Sequence, residues 1–266
     1  MTPAQAAEIG KALFEAERSR NQIGLISQAN PDMTMDDAYA VQDAFVSAKK
    51  DAGAVQRGWK IGLTSKAMRD ALKIDIPDSG VLFDDMFFDD GATVPADRFI
   101  QPRIEAEIAF VMRDDLAGPN VTAWDAMAAT AYILPAIEIL DTRVIRQDPE
   151  TGALRKITDT IADNAANAGI ALGGRPIAVD DVDMRWIGAI VSRNAEVEET
   201  GLGAGVLNQP AQGIAWLANR LATYGETLRA GDVVLSGSFV RPVECPHGST
   251  LLADFGDFGS VSLHFA

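Results

Sequence analysis

Cysteine is nearly absent from this chain of 266 residues: Cys245 stands alone, so no disulfide can close within it, which fits a reducing, cytoplasmic setting. Histidine is almost as scarce, and His247 and His264 are too few and too isolated to build a Cys/His metal cluster or a Ser-His-Asp hydrolase. His264 sits between Leu263 and Phe265 on a terminal strand and reads as structural; His247 follows a proline in a loop and reads as solvated. Positive charge is in deficit, with 23 Lys and Arg against 38 Asp and Glu, for a net charge of −15. A surface that acidic repels nucleic acid and anionic lipid, so neither is an expected partner. The start, MTPAQAAEIG, lacks a basic segment followed by an apolar one, so no signal peptide is expected. The richest apolar stretch, Ala126 to Leu140, is interrupted by Pro135 and Glu138 and is too short to cross a bilayer. Repeats and low-complexity tracts are missing. Gly201, Gly203 and Gly205 do not make a dinucleotide fingerprint, and the two Asp-Phe-Gly triplets near the end imitate a kinase signature with nothing else of a kinase around them.

What is present is enough apolar material, 47% of residues, for one large domain or one and a half small ones. The first 55 or so residues read as helical. Ile9, Ala12, Leu13 and Ala16 fall at one helical face, and Thr34 with Asp37 makes a capping box ahead of Ala38, Val41 and Phe45. Near Gly58 the texture changes to the two-residue alternation of a strand, with Trp59, Ile61 and Leu63 against Lys60, Gly62 and Thr64. Ile104 to Met112 alternates in the same way. Thr122 and Asp125 open a second helix, so the sequon Asn120-Val121-Thr122 reads as a helix entry. Pro135 to Leu140 reads as a buried strand, and Pro210 to Tyr224 as a helix stopped by Gly225. Strands over Val233 to Ser236, Leu251 to Phe255 and Ser260 to Phe265 close the chain, the last two turned back on each other by Gly256 and Gly259. Helices first and strands afterwards predict an α+β fold rather than regular βαβ units.

The informative segment is Pro102-Arg103-Ile104-Glu105-Ala106-Glu107-Ile108-Ala109-Phe110-Val111-Met112. In a strand, residues two apart share a face, so Glu105 and Glu107 point the same way with Cα atoms roughly 6.5–7 Å apart. Ala109 and Val111 follow them on that face, which places the two charges in a cleft. A third carboxylate, Glu138, stands among aliphatic neighbours in Leu134-Pro135-Ala136-Ile137-Glu138-Ile139-Leu140. Like charges in a cleft need a cation or a shared proton, and an isolated buried Glu needs a partner. Oxygen ligands alone suit a hard divalent ion, Mg²⁺ or Mn²⁺. The plainer readings are a solvated strand face for Glu105 and Glu107, and an ion pair of Glu138 with Arg143 or Arg103.

Lys60 lies between Trp59 and Ile61. Desolvated there, it would have a lowered pKa and could exchange protons near neutrality; alternatively it snorkels at a strand edge. Asp78 and Ser79 fall in Ile76-Pro77-Asp78-Ser79-Gly80, read as an ordered turn, where Asp78 is a turn former by default and a catalytic acid or base by association. Ser236-Gly237-Ser238-Phe239, just after a strand, could bring N–H groups and hydroxyls to an anionic ligand or be an ordinary turn.

Taken together, these residues resemble the 2-keto-4-pentenoate hydratase family of the fumarylacetoacetate hydrolase superfamily. The likeness runs over nearly the whole chain. It is carried by Gly58-Trp59-Lys60-Ile61-Gly62-Leu63-Thr64-Ser65-Lys66, Leu82-Phe83-Asp84-Asp85-Met86-Phe87, Pro102 to Glu107, Pro135-Ala136-Ile137-Glu138-Ile139, Ala162-Asp163-Asn164-Ala165-Ala166-Asn167-Ala168-Gly169 and Gly259-Ser260-Val261-Ser262. Asp148-Pro149-Glu150-Thr151-Gly152, Arg155-Lys156, Asp159-Thr160 and Glu198-Glu199-Thr200-Gly201 look like the branch that hydrates 2-oxo-hept-4-ene-1,7-dioate in the meta-cleavage catabolism of aromatic acids.

The resemblance implies an α+β, mixed β-sheet roll (residues 57–266) with a helical N-terminal region (residues 1–56). It implies a Mg²⁺ site at Glu105, Glu107 and Glu138, with Mn²⁺ as a substitute, and proton-transfer roles for Lys60 and Asp78. Leu63, Ser79 and Ser238 are candidate substrate contacts, and Arg155 with Lys156 a candidate clamp for a distal carboxylate, unless both lie on a solvated loop. A small 2-oxo acid is the expected partner, and a symmetric homo-oligomer, as large as a decamer, the expected assembly. The loop from Asp141 to Asp159 is a candidate lid. Alternatives are a 2-hydroxypenta-2,4-dienoate hydratase, a 4-oxalocrotonate-type decarboxylase, a C–C hydrolase needing a His near a Glu that is not visible here, and a non-catalytic partner of a decarboxylase.

Overall fold

The computed structural model describes residues 1–66, 69–70 and 74–266. The helices are α1 (Pro3–Ser19), α2 (Ile26–Ala29), α3 (Met35–Asp51), α4 (Ala123–Ala128), α5 (Ile157–Ala162) and α6 (Pro210–Ala222). The strands are β1 (Gln56–Gly62), β2 (Asp78–Phe83), β3 (Phe87–Asp89), β4 (Ala92–Val94), β5 (Arg103–Met112), β6 (Thr130–Leu140), β7 (Asn167–Leu172), β8 (Gly188–Arg193), β9 (Glu196–Leu202), β10 (Val233–Leu235), β11 (Val243–Glu244), β12 (Ser249–Asp254) and β13 (Ser260–Phe265). No described helix is long and apolar enough to cross a membrane.

Local chemistry sets the helix starts. Thr34 Oγ1 accepts from the Asp37 N–H while the Asp37 carboxylate accepts from the Thr34 N–H, so two N–H groups that the helix cannot satisfy are paired at the entry to α3. Thr122 and Asp125 repeat the arrangement at α4. Leu13 and Ala16 of α1 and Ala38, Val41 and Phe45 of α3 are buried, as their spacing predicts. Ile9 and Ala12 flank the buried stripe, and Ala6 and Gly10 take its centre.

The strands form two mixed sheets. The larger runs β2-β1-β10-β5-β6-β7-β3, with β11 also paired to β5; the smaller runs β4-β13-β12-β8-β9. One core lies between the sheets and takes Ile104, Ala106, Ile108 and Phe110 from β5, Ile137 and Ile139 from β6, and Leu251, Ala253, Val261 and Leu263 from the smaller sheet. The other core lies on the opposite face of the larger sheet, where Leu13, Val41 and Phe45 meet Ala109, Ala136, Ile170 and Leu235. Alternation along β5 decides this division: even-numbered residues enter the first core and odd-numbered residues face the helices. Glu105 and Glu107 are odd-numbered and therefore lie on the helix-covered face.

Two expectations need correction. Asp78 and Ser79 do not sit in a turn. They open β2, which pairs antiparallel with β1 in the register Gly62↔Asp78, Ile61↔Ser79 and Lys60↔Gly80. The Pro and Gly that suggest a turn bracket a strand start instead. The strand expected from Pro135 begins at Thr130, because β6 pairs with β5 along its whole length, down to Thr130 opposite Met112.

The helical part is pinned to the sheets by a buried cation. Arg143 is 1% exposed. Its backbone N–H donates to the Asp163 carboxylate at 2.9 Å, its Nε donates to the same carboxylate, Nη2 donates to the Asp163 carbonyl at 2.6 Å and Nη1 to the Asn167 carbonyl at 3.0 Å. Glu17 of α1 lies 3.6 Å away and Phe45 of α3 packs under the guanidinium. Removing the carboxylate leaves a buried charge uncompensated. Asp163→Ala is therefore expected to cost about 3–5 kcal/mol in denaturant unfolding; a loss within the range of a surface substitution would show that Glu17 and the backbone carbonyls of residues 163 and 167 suffice to hold the arginine.

Candidate active site

The register between β5 and β6 places Glu105 directly opposite Glu138, and Glu107 opposite Ala136. Directly paired residues share a face. The three carboxylates therefore converge, and one oxygen from each lies within 4.8 Å of the others. Among the described residues this is the group whose spacing can hold a metal ion. Glu138 is fully buried, Glu107 nearly so, and Glu105 opens onto a cavity of about 350 Å³. Glu107 Oε1 and Glu138 Oε2 are buried without a hydrogen-bond partner. Two orphaned carboxylate oxygens beside a third carboxylate are what a hard divalent cation would satisfy, so the residues fit a metal.

The remaining oxygens are held. Gly237 N–H donates to Glu107 Oε2 at 2.8 Å, and Asn167 Nδ2 donates to Glu138 Oε1 at 2.7 Å. The Ser236-Gly237-Ser238-Phe239 segment thus does offer an N–H, but its acceptor is the chain's own Glu107 carboxyl. Glu138 is not paired with Arg143 or Arg103. Arg143 is engaged by Asp163, and Arg103 by Glu244. The cation beside Glu138 is Lys60, with Nζ at 3.3 Å from Oε1.

Lys60 stands on the same face through the register Lys60↔Leu235 and Leu235↔Ala109. It is 3% exposed and does not snorkel; Nζ donates to the Ala165 carbonyl at 3.1 Å. The expected lowering of its pKa is not found. Burial works against the charge, but Glu138, Asp78, Glu105 and Glu107 together outweigh it and hold the pKa above the ordinary lysine value. Asp78 is buried beside it, with its pKa raised by burial against the pull of Lys60. Room for that carboxylate comes from Gly62: a Cβ there would stand 2.2 Å from Asp78 Oδ1 and 3.0 Å from Lys60 Nζ. Burial pushes Glu105 up to about 8, with Glu138 adding to the effect and Lys60 opposing it. Burial and the neighbouring Glu138 and Glu105 raise Glu107 as well.

The cavity is lined by Lys60, Leu63, Asp78, Glu105, Arg155 and Ser238, among others. Leu63 leaves β1 in the left-handed region, with φ 57°. Ser238 Oγ lies 2.8 Å from the Val240 carbonyl. Ser79 does not line the cavity; its backbone is fixed by Tyr39 Oη at 3.2 Å and Gln42 Nε2 at 2.9 Å. Lys156 is exposed at the start of α5 and stays outside the cavity. Asp141 to Val144 of the candidate lid are buried. Thr160, Ala165, Ala166, Glu199 and Arg241 also reach the cavity, and Asn167 holds Glu138; the sequence pattern alone gives none of them a role. The Ala162–Gly169 segment stood out, yet Asn167 finds its partner only once β7 lies beside β6.

The Fumarylacetoacetate (FAA) hydrolase C-terminal family model matches residues 44–265, and the chain belongs to that family. Within it, the chain is 53% identical to the 2-oxo-hept-4-ene-1,7-dioate hydratase of Escherichia coli over 257 residues, 97% of this chain and 96% of that protein. It is 37% identical to the 2-keto-4-pentenoate hydratase of Paraburkholderia xenovorans (strain LB400) over 265 residues, 100% of this chain and 96% of that one. A solved structure of 4-oxalocrotonate decarboxylase from Pseudomonas putida G7, complexed with magnesium and adipate, superposes with a TM-score of 0.93 at 33% identity, covering 100% of this chain and 99% of that one. The expected mixed β-sheet roll with a helical N-terminal region is the fold observed.

The raised carboxylates make a testable pH dependence. The folded metal-free chain holds a proton on Glu105 up to about pH 8, against 4.5 for the ordinary group. Folding therefore takes up protons in that window, and the metal-free protein loses stability as pH rises through it. A cation must expel the same proton. Calorimetric titration with Mg²⁺ or Mn²⁺ below about pH 8 should show proton release and an apparent affinity that rises with pH; a flat affinity with no proton release would count against this cluster as the binding site.

Proposed function

We propose that the chain is a Mg²⁺-dependent hydro-lyase that adds water to 2-oxo-hept-4-ene-1,7-dioate to give 4-hydroxy-2-oxoheptanedioate. The observation that carries this reading is the joining of the Glu105, Glu107 and Glu138 cluster, Lys60 and Asp78 to a cavity that also holds Arg155. The 53% identity to a hydratase of that name supports it, and the magnesium of the decarboxylase structure supports the choice of ion. A cytoplasmic homo-oligomer with residues 1–56 as a helical buttress on a catalytic roll of residues 57–266 completes the proposal.

Chemistry constrains the route. The alkene of a 2-oxo-4-enoate is one carbon too far from the carbonyl for water to add. A proton must leave C3, a proton must reach C5, and water then attacks C4 of the resulting 2-oxo-3-enoate while C3 is reprotonated. A hard divalent ion held by Glu105, Glu107 and Glu138 would supply Lewis acidity to the substrate's C1 carboxylate and 2-oxo group. Lys60, kept protonated by the surrounding carboxylates, sits where negative charge develops on that oxo group and stabilises it. Asp78, buried over Gly62 with an unpartnered Oδ1, is the group we assign to proton movement and to directing water.

Arg155 supports the dioate. Its Nη1 donates to Thr142 Oγ1 at 2.6 Å, and its nearest carboxylate, Asp163, is 4.0 Å away and already engaged by Arg143. Burial presses its pKa down despite Asp163, with Arg143 adding to the pressure, so the guanidinium is short of negative charge. Leu140, which lines the same cavity, is two strand residues beyond Glu138, roughly 6.5–7 Å. An extended seven-carbon dioate chelated at one end spans such a distance, and its second carboxylate suits bidentate recognition.

Two experiments test the reading. Ultraviolet assay of the dioate with and without Mg²⁺, coupled to mass analysis, should show metal-dependent turnover and gain of one water. Loss of carbon dioxide instead would move the chain to the decarboxylases, and turnover of 2-hydroxypenta-2,4-dienoate alone would remove the dioate. Arg155→Met should raise KM for the dioate about 10- to 100-fold, with a much smaller change for the five-carbon dienoate; equal effects on both would remove Arg155 from the distal end.

A further inference from the structure

Asn164, Ala165 and Ala166 occupy the left-handed region in succession, with φ 52°, 52° and 59°. Side-chain-bearing residues adopt this conformation singly and at a cost, so three in a row persist only when their surroundings impose it. The imposition is visible. Asn164 is fully buried; its Oδ1 accepts from the Val81 N–H at 2.8 Å and its Nδ2 donates to the Val81 carbonyl at 3.0 Å, so one side chain is paired with both backbone groups of a β2 residue. Gly80 admits the turn, since a Cβ there would lie 2.4 Å from the Asn164 carbonyl oxygen.

The carbonyls around the turn are divided between structure and site. Asp163 gives its carbonyl to Arg143 and to the Ala166 N–H, Ala166 gives its own to the Asp141 N–H, and Asn167 gives its own to Arg143. The Ala165 carbonyl goes to Lys60 Nζ, at 3.1 Å. That ammonium is thereby held between a rigid backbone oxygen and Glu138 Oε1, at 3.3 Å.

We propose that the left-handed turn is a positioning device for Lys60, with Asn164 as the positioning residue that locks it and the Ala165 carbonyl as the contact. The inference rests on the reading of Lys60 as the cation beside the substrate's oxo group. Its function is to fix where the ammonium points, and strained backbone serves because a carbonyl on a left-handed turn pinned at both ends has no freedom to follow the lysine.

Ala165→Gly separates positioning from folding. Glycine adopts positive φ without a Cβ penalty, so the variant should keep or raise its Tm while the carbonyl gains mobility. We expect kcat to fall about 10- to 100-fold with KM for the 2-oxo acid and affinity for Mg²⁺ unchanged. A slowly exchanging ammonium resonance of Lys60, seen by ¹⁵N-lysine labelling in the parent, should broaden or vanish in the variant. Asn164→Asp, which keeps the acceptor for Val81 and loses the donor, should act in the same direction. Unchanged kcat with an unchanged resonance overturns the proposal, as does a loss of activity that tracks lost Mg²⁺ affinity. Lys60→Ala on the same substrate is the control: an active Lys60→Ala enzyme removes the reading of Lys60, whereas an inactive one beside a normal Ala165→Gly enzyme removes the positioning device alone.

Discussion

Like charges held close in a medium that screens them poorly repel, and the larger sheet of this protein forces that encounter. Pairing β5 with β6 in the observed register puts Glu105 across from Glu138, and strand alternation adds Glu107 to the same face. A slip of one residue would send the carboxylates into the core between the sheets and bring isoleucines to the helices. The register that buries the apolar residues correctly is therefore the register that concentrates the negative charge. What surrounds the cluster answers to that fact: Lys60 beside Glu138, the Gly237 N–H on Glu107, Asn167 on Glu138, and a proton retained on Glu105.

The same field sets the character of Lys60. Burial by itself would strip its proton, but carboxylates on several sides hold the proton in place. A divalent cation among those carboxylates would cancel part of the field that keeps the lysine charged, so charge on a bound metal and charge on Lys60 would be coupled. The helices α1 and α3 pack on the same face of the larger sheet, and Arg143 ties them to the segment that supplies Asn167 and the Ala165 carbonyl.

How much of this was legible in the sequence depended on periodicity. Glu105, Glu107 and Glu138 stood out because a charge inside an alternating apolar strand breaks a pattern that is otherwise clean. The capping boxes at Thr34 and Thr122 are local, and local chemistry reads directly. Asp78 reads as a turn residue because Pro77 and Gly80 are turn residues by propensity, whereas its pairing with β1 is a contact between separate segments. β9, with the sequence Glu-Val-Glu-Glu-Thr-Gly-Leu, has no apolar face to announce it and exists because β8 pairs with it. The pKa of Lys60 departs from what its sequence neighbours suggest for a related reason: burial follows from those neighbours, while the charges that overrule burial come from strands 18 to 78 residues away.

The hydrogen bond from Gly237 to Glu107 joins residues 130 positions apart, and the one from Lys60 to Ala165 joins residues 105 apart. A chain emerging from the ribosome therefore exposes Glu105, Glu107 and Glu138 long before Gly237 exists to meet them. Until then Glu107 lacks the N–H that meets it in the finished sheet, although Lys60 is already made, and high sequence separation of contacts slows the closing steps. A divalent cation taken up by the three carboxylates would supply counter-charge before synthesis ends, so the binding proposed for the finished enzyme would also favour assembly of the half-made one.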